Sequence, residues 1–212
     1  MKKKIGIALG LLLAFALWTF SISIIDVQAI GPNGSSVGFA TINSIFHKLT
    51  GVHMGLYILT DWLGLVPVAF GLGFAILGLA QWIRRKGLFS VDRSILVLGG
   101  FYIVVLAVYL LFEEYVVNYR PVLIDGYLEA SYPSSTTLLV MSVMPTAILQ
   151  LRSRIHHPVL RTCLVALMTA FLGFMVIGRL ICGVHWLTDI IGSGLLSSGL
   201  VMLYDAITKT DL

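Results

Sequence analysis

Six long apolar runs, separated by short polar segments, are the feature that most restricts how this chain can fold. Each run approaches the roughly 20 residues that an α-helix needs to cross a bilayer. Because 58% of the 212 residues are hydrophobic and only 11% are charged, a soluble fold could not keep so much apolar surface from water. We therefore predict an all-α, polytopic membrane protein. Its six transmembrane helices are predicted at residues 5–25, 55–83, 94–112, 136–151, 161–180 and 187–207.

The spans follow one another without an internal repeat or a low-complexity linker, so we expect a single domain over residues 1–212. The start of the chain has a second interpretation, since lysines 2–4 and the apolar run after them also resemble a signal peptide, with a weak cleavage motif at 27–29. The run is longer than the usual signal core of about 7–15 residues, which favours a retained first helix.

The basic residues are distributed unevenly between the two sides that six spans create. One side holds Lys2, Lys3, Lys4, Arg84, Arg85, Lys86, Arg93, Arg152, Arg154, Arg161 and Lys209, and the other holds Lys48, Arg120 and Arg179. By the positive-inside rule, both termini are predicted to be cytoplasmic. The net charge of +4 then mostly reflects topology and does not indicate a nucleic-acid partner.

Three segments are predicted to lie on the outer face: 26–54, 113–135 and 179–186. In the first, Phe39, Ile42, Ile45, Phe46 and Leu49 recur at helical spacing with polar residues between them. This pattern predicts an interfacial helix in the outer headgroup layer, between the first and second spans. Such a helix could line a lipid entry path or pack over the bundle.

The other two outer segments carry polar groups suited to a phosphate ester. Ser134 or Ser135 can cap the fourth span, whose first free amides would then form an anion site at the outer surface. Further along, Arg179 can hold phosphoryl oxygens while the imidazole of His185 attacks phosphorus. Asp189, four residues later, can fix the tautomer of that imidazole.

Together, Arg-Pro at 120–121, Pro-Ser at a helix start and Arg-x5-His-x3-Asp at 179–189 resemble the type 2 phosphatidic acid phosphatase (PAP2) family. The motifs cover about residues 113–190, and the six-helix layout extends the likeness to the whole chain. The resemblance implies a metal-independent, cofactor-free phosphatase of lipid phosphates and diphosphates at the outer face of the cell membrane, whose only partners are its lipid substrate and the membrane lipids. It assigns phosphate binding to Arg120, Ser134, Ser135 and Arg179, and catalysis to His185 as nucleophile, Asp189 as its orienting partner and Thr136.

Three positions depart from the family pattern. Glu113 stands where a phosphate-binding lysine is usual, and because a carboxylate would repel phosphate we expect it to point away from the site. Gly178 replaces a serine. Thr136 replaces the histidine that protonates the departing oxygen, and a threonine hydroxyl is no general acid at neutral pH.

The loss of that histidine bears on the substrate. General acid catalysis is typically worth about 10²- to 10⁴-fold, and an alkoxide leaving group would need most of it. A lipid phosphate leaves reasonably well without a proton. We therefore expect a lipid diphosphate such as undecaprenyl pyrophosphate to be preferred over phosphatidic acid, unless His47 or His53 supplies the acid.

Two other functions stay open. The chain could bind lipid phosphates without turning them over, with Thr136 and Glu113 marking the loss of catalysis. It could also be a transporter that uses Asp61 and the arginines as a midplane site, although transporters tend to show broken helices in paired halves. Asp61 itself is expected to pair with Lys48 or Arg120, or to cap a helix.

Overall fold

The computed structural model describes residues 2–208, so Lys209, counted above among the cytoplasmic charges, lies outside it. The described chain is all-α, with isolated β-bridges but no strand within this range. The helices are α1 Lys2–Ile24, α2 Ala40–Thr50, α3 Met54–Leu63, α4 Leu65–Arg85, α5 Arg93–Glu114, α6 Ser135–Arg154, α7 Pro158–Ile181 and α8 Leu187–Thr208, with short 3-10 turns at Pro32–Gly34 and Leu88–Ser90.

Five segments of the described chain are long and apolar enough to cross a membrane: α1, the continuous stretch Met54–Arg85, α5, α7 and α8. They confirm the prediction of an all-helical membrane protein. The predicted fourth span, 136–151, coincides with the 20-residue helix α6, which is more polar than the others. The six-helix count therefore stays a prediction.

The polarity of α6 follows from its central position, where it packs against α4, α5, α7 and α8. Neighbouring hydroxyl groups satisfy its backbone, since Ser193 donates to the carbonyl of Ser134 and Ser197 to that of Leu138. At its far end the Gln150 amide donates to the Tyr204 hydroxyl. A helix surrounded by protein can carry such groups, because each finds a partner on an adjacent helix.

The predicted second span is divided in two at Gly64, and this break brings α3 to the site. Pro67 lies in the first turn of α4, where its missing N–H removes a hydrogen bond that a continuous helix would need. As a result α3 packs against α7, while α4 packs against α6. Gly64 and Pro67 are visible in the sequence, but only the tertiary contacts show that α3 packs along α7.

The amphipathic segment after the first span forms α2, as its spacing predicted. Its polar side is anchored by the buried Asn43, whose side-chain amide donates to the Gly38 carbonyl and to the Thr188 hydroxyl. On the opposite side Ile42, Ile45 and Leu49 are exposed. The helix thus rests on the start of α8 and presents an apolar surface outward.

Close packing of α8 depends on its small residues, most clearly at Gly192. A Cβ added there would lie 2.5–2.7 Å from side-chain atoms of Tyr132, whereas one added at Gly194 would meet nothing closer than Met141 Cε at 3.9 Å. The Tyr132 ring is itself fixed by a 2.7 Å hydrogen bond between its hydroxyl and that of Thr19 on α1.

We predict that Gly192→Ala lowers the free energy of unfolding by about 1–3 kcal/mol relative to Gly194→Ala, the range for overpacking a filled core. Both variants gain the same helix propensity from alanine, so their difference isolates the contact with Tyr132. Thermal unfolding in detergent measures the effect. Equal midpoints for the two variants would show that this contact is not tight.

Candidate active site

The seven residues predicted for the site lie at one end of the bundle. They stand on the connection 115–134, the start of α6, the end of α7, the connection 182–186 and the first turn of α8. Direct bonds tie these segments together. The Trp186 indole donates to the Tyr119 carbonyl at 2.7 Å, and the Ser134 amide approaches the Asp189 carbonyl at 3.4 Å. These segments therefore converge at one end of the bundle.

The imidazole of His185 is almost fully buried, with 4% of the residue exposed. Its Nδ1 lies 3.7 Å from Asp189 Oδ2, too far for a hydrogen bond, and 3.2 Å from the hydroxyl of Ser131. The Ser131 hydroxyl also donates to Asp189 Oδ2, so this serine bridges the predicted His–Asp pair. Asp189 Oδ2 accepts in addition from the Trp186 amide at 2.8 Å.

The second imidazole nitrogen, His185 Nε2, has no hydrogen-bond partner among the described residues. Burial lowers the pKa of His185 from its ordinary value, and the charges of Arg120 and Arg179 lower it further, while Asp189 opposes the shift. The ring is therefore neutral near physiological pH, and the lone pair on Nε2 is unused. A neutral imidazole with one free nitrogen is what nucleophilic attack requires.

Arg179 is 1% exposed, and its Nη2 donates to Asp61 Oδ1 at 2.7 Å and to the hydroxyl of Thr136. Its guanidinium lies over the ring of Tyr57, 4.8 Å from the centroid. The partner of Asp61 is therefore Arg179, neither of the two cations expected from the sequence. Arg179 Nε and Nη1 have no partner among residues 2–208 and can donate to a ligand.

The guanidinium of Arg120 also lies over the Tyr57 ring, 5.6 Å from its centroid. Its Nε is 3.1 Å from Glu129 Oε2, close enough for an ion pair but too poorly aligned for a hydrogen bond. Two guanidinium groups with unused donors thus share one tyrosine. Fixed arginine donors of this kind suit a phosphoryl group.

The start of α6 adds backbone donors to these side chains. Ser134 occupies the N-cap position, but its hydroxyl bonds that of Thr137 at 3.0 Å and makes no capping bond to an amide. The amides of the first turn are therefore not capped by this side chain and can bind an anion. Thr136, which accepts from Arg179, and Ser135 stand on this same turn.

The two histidines considered as alternative acids bond to main-chain carbonyls within the described chain. His47 Nε2 lies 3.1 Å from the Gly183 oxygen, and its ring packs on Trp186 with centroids 5.5 Å apart. His53 Nε2 lies 2.9 Å from the Thr50 oxygen. His47 therefore supports the connection that carries His185. Since Nε2 of each ring is engaged by a main-chain carbonyl, neither histidine is placed as the general acid.

Glu113 does not point away from the site as expected. Although exposed on one side, it lines a small cavity together with Ser131, Ser135 and His185. The last turn of α5 faces the segment 130–135, and this packing brings Glu113 to the edge of the cavity that His185 also lines.

Sequence reasoning missed Tyr57, Ser131 and the pairing of Asp61. An ionisable group within an apolar span was itself a signal of function, and it pointed to Asp61. Nothing in the sequence distinguished Ser131 from the other hydroxyl residues nearby. Among residues 2–208, no group of three or more His, Cys, Asp or Glu side chains is placed to hold a metal ion.

A larger cavity of about 610 Å³ lies between α4, α5 and α6. Its walls are mostly apolar, and its polar end is formed by Asp61, Ser135 and Thr136. Because Leu72 and Leu106 in its lining are more than half exposed, the cavity opens on the side of the bundle between α4 and α5. An apolar channel thus ends at the residues that surround Arg179.

Comparisons with known proteins agree with this arrangement. The PAP2 superfamily model matches residues 111–210, the part of the chain that holds all seven predicted site residues. The crystal structure of a transmembrane PAP2-type phosphatidylglycerolphosphate phosphatase from Bacillus subtilis superposes with a TM-score of 0.56 at 20% identity, covering 97% of each chain. No curated protein sequence matches the chain. Residues 111–210 therefore match the PAP2 superfamily model, and the chain shares the fold of a PAP2-type membrane phosphatase.

Proposed function

We propose that this protein is a metal-independent phosphatase that hydrolyses a lipid diphosphate, with undecaprenyl pyrophosphate as the best candidate, through a phosphohistidine on His185. One observation carries the proposal. A buried imidazole has Nδ1 committed to Ser131 and Asp189 and Nε2 unpartnered, in a site with two arginines that retain unused donors.

The first chemical step follows from these positions. Arg120, Arg179 and the first amides of α6 bind the terminal phosphoryl oxygens and stabilise their charge. Nε2 of His185 attacks phosphorus, the bond to the bridging oxygen breaks, and the lipid phosphate leaves with the electron pair. The imidazolium that forms is stabilised by the Asp189 carboxylate through Ser131. Water then hydrolyses the phosphohistidine and releases inorganic phosphate.

The apolar cavity between α4 and α5 suits the part of the lipid tail next to the headgroup. Since that cavity ends at Ser135 and Thr136, a lipid entering from the side would bring its headgroup to the arginines. With α6 counted as a membrane span in addition to the other five, the charge distribution supports an outer position for this end of the bundle and cytoplasmic termini. α2 would then lie in the outer headgroup layer, with its exposed apolar side toward lipid.

A second candidate is a lipid-phosphate binding protein without turnover. It is favoured by Thr136, which accepts a hydrogen bond from Arg179 where the family has its general acid. Both candidates bind the same headgroup, so only turnover separates them.

The first prediction concerns the nucleophile. With undecaprenyl pyrophosphate in detergent and EDTA, the protein should release inorganic phosphate, and His185→Ala should lose at least about 10³-fold of that rate because no other group can attack. His156→Ala, at the opposite end of the bundle, is the matched control and should keep full activity. Equal rates in the two variants would exclude the phosphohistidine.

The second prediction concerns the leaving group. Phosphatidic acid should turn over at least about 10²-fold more slowly than the diphosphate, because its alkoxide needs an acid. Thr136→His should raise the rate on phosphatidic acid much more than the rate on the diphosphate. Comparable wild-type rates on both lipids would contradict the leaving-group argument. Activity that appears only in Thr136→His would favour the binding-protein candidate.

The third prediction concerns protonation. Because burial lowers the pKa of His185, its titration midpoint should lie below about 6.5, the ordinary histidine value. The ring should therefore still be neutral at about pH 6.5 and gain its proton only in more acidic solution. Imidazole nitrogen chemical shifts measured against pH, assigned by their absence in His185→Ala, check this. A midpoint at or above the ordinary value would mean that Asp189 outweighs burial.

A further inference from the structure

The second half of the proposed reaction lacks a group to accept a proton. Water that attacks a phosphohistidine must lose a proton as the new P–O bond forms. The family pattern has a histidine that could accept this proton, and in this chain Thr136 takes its place. The hydroxyl of Thr136 is engaged by Arg179. A base for this step must therefore come from elsewhere in the site.

Glu113 occupies a suitable place. It shares the lining of a cavity of about 10 Å³ with His185, Ser131 and Ser135, which is room for about one water molecule. The polar side chains around this cavity can hold such a water by hydrogen bonds. A carboxylate and the nucleophilic imidazole thus border the same water-sized space.

The surroundings of Glu113 suit a group that exchanges protons. It lies in the last turn of α5 and is exposed on its other side, so a proton can pass from it to bulk water. The hydroxyl of Tyr109, one helical turn earlier, interacts with its carboxylate and limits its freedom. Glu114, the next residue, lines a different cleft beside Ser23 and Asn118.

We propose that Glu113 is the general base that activates water for hydrolysis of the phosphohistidine, an inference that rests on the proposed function. The carboxylate takes a proton from water, the water oxygen bonds to phosphorus, and the P–Nε2 bond breaks with its electron pair returning to the imidazole. The proton then leaves Glu113 to solvent. The first step needs no proton donor, because a lipid phosphate departs unprotonated.

A role as general base would also explain why position 113 holds a glutamate and not the lysine of the family pattern. A lysine there would bind phosphate, whereas a glutamate repels it and can only be useful once the phosphoryl group is covalently held. Glu113 should therefore weaken the binding of free phosphate and accelerate the hydrolysis of the phosphohistidine. The two effects are separable by kinetics.

The experiment follows the phosphoenzyme itself, with terminally radiolabelled undecaprenyl pyrophosphate in a rapid-quench instrument. In Glu113→Gln, phosphohistidine should form at a near-normal rate and accumulate, because its hydrolysis should slow by about 10²-fold or more. The matched control, Glu114→Gln, should behave as the wild type. Formate added to Glu113→Ala should restore part of the hydrolysis rate, which a merely structural role would not allow.

The outcomes separate this inference from the function on which it rests. Phosphohistidine that forms and decays at wild-type rates in Glu113→Gln overturns the role of Glu113 and leaves the phosphatase intact. Equal slowing of formation and decay, without rescue by formate, also overturns it, since that pattern indicates a distorted site. Absence of turnover in the wild type, with no phosphoenzyme in any variant, overturns the phosphatase itself.

Discussion

The buried guanidinium of Arg179 is the group on which the rest of the site depends. A charge removed from water in this way is costly unless it is paired and hydrogen-bonded. Asp61 and Tyr57 from α3 and Thr136 from α6 supply those contacts, so one side chain of α7 ties that helix to α3 and α6. The break at Gly64 makes this possible, because it lets α3 follow α7 while α4 continues along α6.

The charges around the phosphate position are balanced before any ligand arrives. Asp61 pairs with Arg179 and Glu129 with Arg120, yet the two carboxylates keep 60% and 43% side-chain exposure. They can therefore remain hydrated while the unused guanidinium donors turn to a phosphoryl group. Glu113 adds a further negative charge at the small cavity that His185 also lines. In the proposed reaction this charge would oppose the binding of free phosphate.

The substitutions at 136 and 113 support one interpretation when taken together. In the proposed reaction, a threonine at the acid position would restrict the first step to leaving groups that need no proton. A carboxylate at the lysine position would provide the base for the second step. Ser131 completes the arrangement, because it couples Asp189 to an imidazole that the carboxylate does not reach directly.

The membrane class, most helices and the set Arg179, His185 and Asp189 could be predicted from the sequence, because apolar length and spacing along one short segment are local properties. The roles of Asp61, Ser131 and Glu113 could not, since each depends on contacts between helices distant in the chain. The polarity of α6 shows the same limit. Its hydroxyl residues lower its hydropathy, while hydroxyl groups of α8 donate to carbonyls of α6 and stabilise it inside the bundle. Only the tertiary structure decided which carboxylate pairs with the buried Arg179 and which one lines the small cavity at His185, because both depend on contacts between helices distant in the chain.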